Sequence, residues 1–218
     1  MYSVKEMFYT LQGEGAHTGR AAVFCRFTGC NLWSGLEKHR SEAICDFCDT
    51  DFLGVDGING GKFVDANALV DAIDSLWPKH TTHKFVVCTG GEPLLQLDQQ
   101  LVAALHSRGF VVAVETNGTQ PLPEGGVDWV CLSPKGKADV VLNECDELKL
   151  VFPQLDAMPE RFSAIEASYR YLTPKASPHW QATDVIYRDD TTQQTIQYCL
   201  DHPEWRLNLQ SHKVIDIA

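Results

Sequence analysis

Seven short apolar runs punctuate the chain: residues 21–28 (AAVFCRFT), 84–89 (KFVVCT), 110–115 (FVVAVE), 129–132 (WVCL), 147–151 (ELKLV), 169–172 (YRYL) and 206–209 (RLNL). The central ones are almost continuously apolar, as expected of parallel strands covered on both faces. Between them the pattern changes to a helical period. Residues 65–76 place Ala68, Leu69, Ala72, Ile73 and Leu76 on one face, with Pro78 just beyond. Residues 98–107 repeat it through Leu101, Val102 and Leu105, and Gly109 supplies a stop. Residues 191–200 predict a last helix, and the glycine-rich stretch 53–62 reads as a connector.

Strand–helix alternation of this kind predicts an α/β fold with a parallel sheet and right-handed crossovers. About six such units are too few for a closed eight-fold barrel, which takes roughly 250 residues. The expectation is a single-domain, partial (incomplete) parallel β/α barrel over residues 1–218. No repeat, low-complexity tract or linker interrupts it. The net charge of −11 argues against a duplex-binding surface, which concentrates Lys and Arg. No apolar run approaches the roughly 20 residues that span a bilayer, and the N-terminus has no signal-peptide pattern. A cytoplasmic protein is expected, whose eight cysteines are thiols or metal ligands.

Four distinctive segments follow predicted strands: the cysteine stretch after 21–28, TGGEP at 89–93, ETNGT at 115–119 and SPK at 133–135. Loops at the carboxyl ends of parallel strands converge on one face, where ligands bind. Cys30, Cys45 and Cys48 are separated by fourteen and two residues. That spacing leaves three chemistries open: a zinc site closed by His39, an iron–sulfur cluster, and a redox dithiol. Cys25, Cys88, Cys131 and Cys199 read as small buried hydrophobes, and Cys145 has no evident role.

MFYTLQGEG at 7–15, RFTGCNL at 26–32, CDFCDT at 45–50, TGGEP, ETNGT, SPK and the terminal LQSHKVIDIA together resemble the 7-carboxy-7-deazaguanine synthase family of the radical S-adenosylmethionine (SAM) superfamily. The resemblance runs from residue 7 to residue 218 and is least distinctive over 137–167. It implies a 4Fe–4S cluster on Cys30, Cys45 and Cys48, whose fourth iron has no protein ligand and is chelated by SAM. The common spacing puts three residues in the first gap, so 31–44 looks like an extended cluster loop, with His39 an ordinary loop residue. Relatives often carry Gln before the proline at 174, whereas this chain has Thr173.

The implied reaction turns 6-carboxy-5,6,7,8-tetrahydropterin into 7-carboxy-7-deazaguanine with ring contraction and loss of ammonia, toward queuosine. A radical made from SAM takes hydrogen from C6 and returns it after rearrangement. The implied catalytic residue is Glu115. Phe47, Asp49, Gly90, Gly91, Glu92, Asn117, Ser133, Pro134 and Lys135 are the implied SAM contacts, with Glu92 also readable as a cap. For the substrate the resemblance implies Leu11, Gln12, Gly13, Glu14, Arg26, Thr89, His212 and the carboxylate of Ala218. Thr50 is the implied Mg2+ contact, a homodimer the implied assembly, and a flavodoxin-like protein the electron donor. The competing readings are another radical SAM reaction, such as glycyl-radical activation, and a zinc-stabilised binding module.

Overall fold

In a computed structural model, residues 1–176 and 190–217 are described. All seven expected runs are strands, and two more join them. The chain opens on β1 (Tyr2–Leu11), which pairs antiparallel with β2 (Ala21–Phe27) on one side and β3 (Gly61–Phe63) on the other. Periodicity passes over β1 because its register shifts between Val4 and Glu6. An extra residue there breaks the two-residue alternation that marks a half-buried strand. The stretch read as a connector likewise ends in β3, a strand too short to show a period.

The remaining strands are β4 (Phe85–Gly90), β5 (Val111–Thr116), β6 (Trp129–Leu132), β7 (Glu144–Phe152), β8 (Glu166–Pro174) and β9 (Arg206–Leu207). The described residues form one nine-stranded mixed sheet in the order β3-β1-β2-β4-β5-β6-β7-β8-β9. From β2 to β9 every neighbouring pair is parallel.

Helix α1 (Ala66–Leu76) precedes β4, and α2 (Gln99–Ser107) links β4 to β5. Asp65 and Asp98 cap them, accepting the amides of Ala68 at 2.8 Å and Leu101 at 2.9 Å. Each such cap contributes about 1 kcal/mol. Leu69, Val70 and Ile73 of α1 and Leu101, Val102 and Leu105 of α2 pack with Val86, Val112 and Val114 in the larger core. A second core gathers Leu148, Leu150 and Phe152 of β7 with Leu172, Phe162 and Trp205. Helix α3 (Asp190–Asp201) joins β8 to β9, and the short α4 (Ser211–Ile215) follows. The alternation is incomplete, since the links from β5 to β6 and from β6 to β7 contain no helix.

Candidate functional site

A cavity of about 480 Å³ opens at the carboxyl ends of the parallel strands, as the strand-end motifs require. Most of the expected site residues line it: Leu11, Gln12, Gly13, Glu14, Arg26, Thr89 and His212 among the substrate set, and Phe47, Asp49, Gly90, Gly91, Asn117, Ser133 and Lys135 among the cofactor set. Cys30, Cys45, Cys48, Thr50 and Glu115 complete that lining. Pro134 is buried outside it, and Ala218 lies outside the described residues.

One wall carries the thiols. Cys30 leaves the end of β2, and its sulfur accepts the amides of Leu32, at 3.4 Å, and Trp33. The Cys45 thiol donates to Cys48, which draws Cys48 down to about 6 and pushes Cys45 up. The Thr50 amide also donates to the Cys48 sulfur, so the expected Mg2+ residue supports a thiol through its backbone. The extended loop returns through a 3-10 helix, Glu37–Glu42, braced by Arg40. That guanidinium lies 4.2 Å from the Trp33 ring centre and donates to the carbonyls of Asp46 at 2.9 Å and Cys48 at 3.0 Å. His39 is exposed, bonds Ser34 Oγ at 2.8 Å and does not line the cavity, which separates it from the thiols.

Among the described residues no three His, Cys, Asp or Glu side chains stand ready-made to hold a metal. The fit to an iron–sulfur cluster rests on donor chemistry: three thiols share one wall, and two of them, Cys30 and Cys48, already accept backbone amides as cluster sulfurs do. Trp33 lines the same wall, and its buried Nε1 has no hydrogen-bond partner among the described residues. An orphaned buried donor is costly, and an acceptor such as a sulfur would relieve it. The residues fit the group.

The glycines of TGGEP act first on the protein itself. A Cβ on Gly90 would fall 2.2 Å from the Phe27 carbonyl oxygen, and one on Gly91 2.1 Å from that of Gly29. Only glycine lets this loop lie against the end of β2 and so against Cys30. Glu92, fully buried and absent from the cavity wall, accepts from the amides of Leu94 at 3.0 Å and Asn117 at 2.8 Å and from the Thr116 hydroxyl at 2.8 Å. Of its two sequence readings, capping is the role these bonds describe. Asn117 ties its loop to the cluster loop through Asn31 at 3.1 Å. The Lys135 ammonium donates to the Ser133 carbonyl at 2.6 Å and to its hydroxyl, folding SPK into one unit.

A second wall is built on strands. Lys149 of β7 lies 2.9 Å from Glu14 Oε2 and 3.5 Å from Glu115 Oε2. Gln12 Nε2 donates to Glu115 Oε1 at 2.9 Å, and Gln210 Nε2 to Glu14 Oε1 at 2.8 Å. Burial works to raise the Glu14 carboxyl, yet the Lys149 charge and the bonds from Gln210 and Lys149 overcome it and bring the group down to about 2. Burial likewise opposes the Lys149 charge, and Cys131 together with the carboxylates of Glu115, Glu14 and Glu147 raises its pKa well above the ordinary lysine value. Arg26 Nε is paired with Glu6 at 2.8 Å. Thr173 lines the cavity with its hydroxyl accepting from Asn208 at 2.8 Å.

Helix α4 closes the two walls together. The Ser211 amide and hydroxyl both donate to the Gly13 carbonyl at 2.9 Å, while Lys213 reaches Asp49 at 2.8 Å. A Cβ on Gly13 would meet His212 Nδ1 at 2.2 Å, so Gly13 is what lets the histidine in. Burial lowers the pKa of His212. Sequence reasoning missed Lys149 and Gln210. For Lys149 the signal was the alternation in ELKLV, which places Glu147 and Lys149 on the opposite face from Leu148 and Leu150.

A mostly parallel sheet with such a composite cavity at its strand ends defines an α/β enzyme. Within that class the chain belongs to the 7-carboxy-7-deazaguanine synthase family. It is 58% identical to the 7-carboxy-7-deazaguanine synthase of Bordetella pertussis over 216 residues and 56% identical to that of Caulobacter vibrioides, covering 99% of each chain in both comparisons. The crystal structure of QueE from Escherichia coli superposes with a TM-score of 0.66 at 25% identity, covering 97% of this chain and 94% of that one. No protein-family model matches the chain.

Proposed function

We propose that the chain converts 6-carboxy-5,6,7,8-tetrahydropterin to 7-carboxy-7-deazaguanine, a radical SAM reaction of queuosine biosynthesis. The observation that carries this reading is one cavity with three thiols on one wall and a carboxylate–lysine cage on the other. Cys30, Cys45 and Cys48 would hold a 4Fe–4S cluster, and Phe47, Gly90, Gly91, Asn117, Ser133 and Lys135 would seat SAM beside it. Together these cofactors supply a carbon radical able to take hydrogen from a saturated ring carbon.

The residues of the chain bind and orient. Gln12, Glu14 and Thr89 offer polar partners to the pterin edge, and Glu115 stands at the reacting centre. Arg26 Nε is engaged by Glu6, and among the described residues its terminal nitrogens bond nothing, leaving a fork for the substrate carboxylate. Thr50 offers a hydroxyl to Mg2+, a hard cation that keeps much of its water. Helix α4 places His212 over the cavity and excludes solvent.

The same reading takes residues 1–218 as one domain, with 31–44 its extended cluster loop, and the parallel strands as a partial barrel around the cavity. It takes the enzyme as a cytoplasmic homodimer reduced by a flavodoxin-like protein; no described helix is long and apolar enough to cross a membrane.

The test is electron paramagnetic resonance on anaerobically reconstituted protein, reduced with dithionite, before and after SAM. Product is then sought with the tetrahydropterin, SAM and Mg2+. A cluster signal that moves on SAM addition, followed by 7-carboxy-7-deazaguanine formation, is expected. One tightly held zinc per chain and no cluster signal would overturn it.

A further inference from the structure

One buried ammonium faces three carboxylates in this molecule. The Lys149 side chain is 6% exposed, and Glu14, Glu115 and Glu147 all act on its charge. Burying such a group is expensive, and an ion pair kept only for stability is commonly replaced by apolar packing at little cost. The arrangement here has a feature that stability alone does not require. Lys149 takes one oxygen of Glu14 and one of Glu115, while the amides of Gln210 and Gln12 take the other oxygen of each. Gln12 in turn accepts the Glu14 amide at 3.1 Å through its own oxygen. All five side chains line the same cavity.

We propose that Lys149 is the positioning residue of the substrate-facing wall: its ammonium holds the Glu14 and Glu115 carboxylates at a fixed separation, Glu14 as acceptor for the N–H donors of an amino-pyrimidinone edge and Glu115 for the ring N–H beside the reacting carbon. The inference rests on the pterin reading and deepens it. Each carboxylate keeps lone pairs beyond those its two partners occupy, and a carboxylate accepts up to about four hydrogen bonds. The two come from distant places, Glu14 from the turn after β1 and Glu115 from β5, so no shared backbone sets their spacing. The ammonium does. The groups packed around Lys149 are Glu14, Glu115 and Glu147, Cys131 of β6, Tyr171 in register on β8, and His212 of α4, which has Lys213 beside it.

The experiment is anaerobic calorimetry of 6-carboxy-5,6,7,8-tetrahydropterin binding to the reconstituted enzyme from pH 8 to pH 6, with the parent, K149M and K149R. Without the ammonium, burial drives a carboxylate of the pair to take up a proton, and that protonated acceptor no longer matches an N–H donor. The K149M dissociation constant should exceed the parent's by tenfold or more at pH 6. The ratio should grow as pH falls, by up to about tenfold per unit for one linked proton. K149R, which keeps the charge, should hold that ratio constant.

A purely structural role would weaken binding by a pH-independent factor. A K149M ratio that stays flat across the range therefore overturns the proposal. K149Q, with donors but no charge, replaces K149M where methionine prevents folding, under the same two outcomes. A parent enzyme that binds none of the tetrahydropterin overturns the substrate reading instead. The Glu14 carboxyl resonance in ligand-free protein then decides Lys149 alone: titration at higher pH in K149M than in the parent supports it, and unchanged titration overturns it.

Discussion

The two walls of the cavity are built on different principles. The thiol wall is a loop with almost no regular structure, drawn together by short-range ties. Leu32 and Trp33 reach back to Cys30, Thr50 reaches back to Cys48, and Arg40 spans six to eight residues to the carbonyls of Asp46 and Cys48. The carboxylate–lysine wall stands on strands, and its partners are far apart in the chain. Glu115 lies 103 residues from Gln12 and 34 from Lys149. Local ties can move as a unit with the group they hold, while groups fixed on separate strands keep their spacing whatever is bound. A wall that takes up a cluster suits the first construction, and one that measures a substrate suits the second.

Breaking the thiol wall should have the largest effect. C45S removes the one buried thiol of the three and the donor to Cys48. Iron content should fall to background and turnover should vanish, while circular dichroism stays at the parent's. A C45S protein that keeps a full cluster and turns over would remove Cys45 from the ligand set.

Breaking the strand-built wall should cost less and leave the cluster untouched. E115Q keeps the shape and one acceptor oxygen while removing the charge beside Lys149. A group acting at the reacting centre contributes about 10²–10⁴-fold in rate, so kcat should fall by about 10²-fold or more. The paramagnetic signal and its response to SAM should match the parent's. Equal loss of both would mean that the two walls are not separable.

The pH dependence of stability sharpens the contrast, because the Lys149 charge and the bonds from Gln210 and Lys149 hold the Glu14 carboxyl down to about 2 against burial. A carboxyl whose folded pKa lies below its unfolded value stabilises the fold above the unfolded value, near 4.5, and that contribution is lost as pH falls toward 2. Parent protein should therefore lose more stability than E14Q between pH 6 and pH 3. Urea unfolding at the two values checks it, and equal losses would show that Glu14 is not ionised by its surroundings.

What could be read from the sequence divides along the same line. All seven expected strands and the three expected helices formed, because each rests on a local period or a cap such as Asp65 or Asp98. The thiol wall was also legible, since Cys30, Cys45 and Cys48 are distinctive by type and spacing. Strand β1 was not, because its bulge hides the alternation. Lys149 was not, because the alternation in ELKLV gives its face of the strand but not the two carboxylates that arrive beside it from elsewhere. Arg26 was implied by the resemblance, but only the fold shows Glu6 already on its Nε. Residue type carries chemistry, and long-range pairing decides which of that chemistry is free to act.

The smallest effect is expected from Arg40, which touches no substrate-facing group in this arrangement. Its side chain is 30% exposed, pairs with Glu37 and holds two carbonyls of the Cys45–Cys48 turn. Hydrogen bonds from a charged donor are worth about 1.5–3 kcal/mol when buried, and solvent at this exposure reduces that to about 1 kcal/mol. In R40A the fold and the strand-built wall should be unchanged, and tetrahydropterin affinity should stay at the parent's. Iron should leave the reduced cluster to a chelator about fivefold faster, as the turn opens more often. If affinity falls while iron release does not change, the brace serves the substrate wall and the division between the two halves is misdrawn.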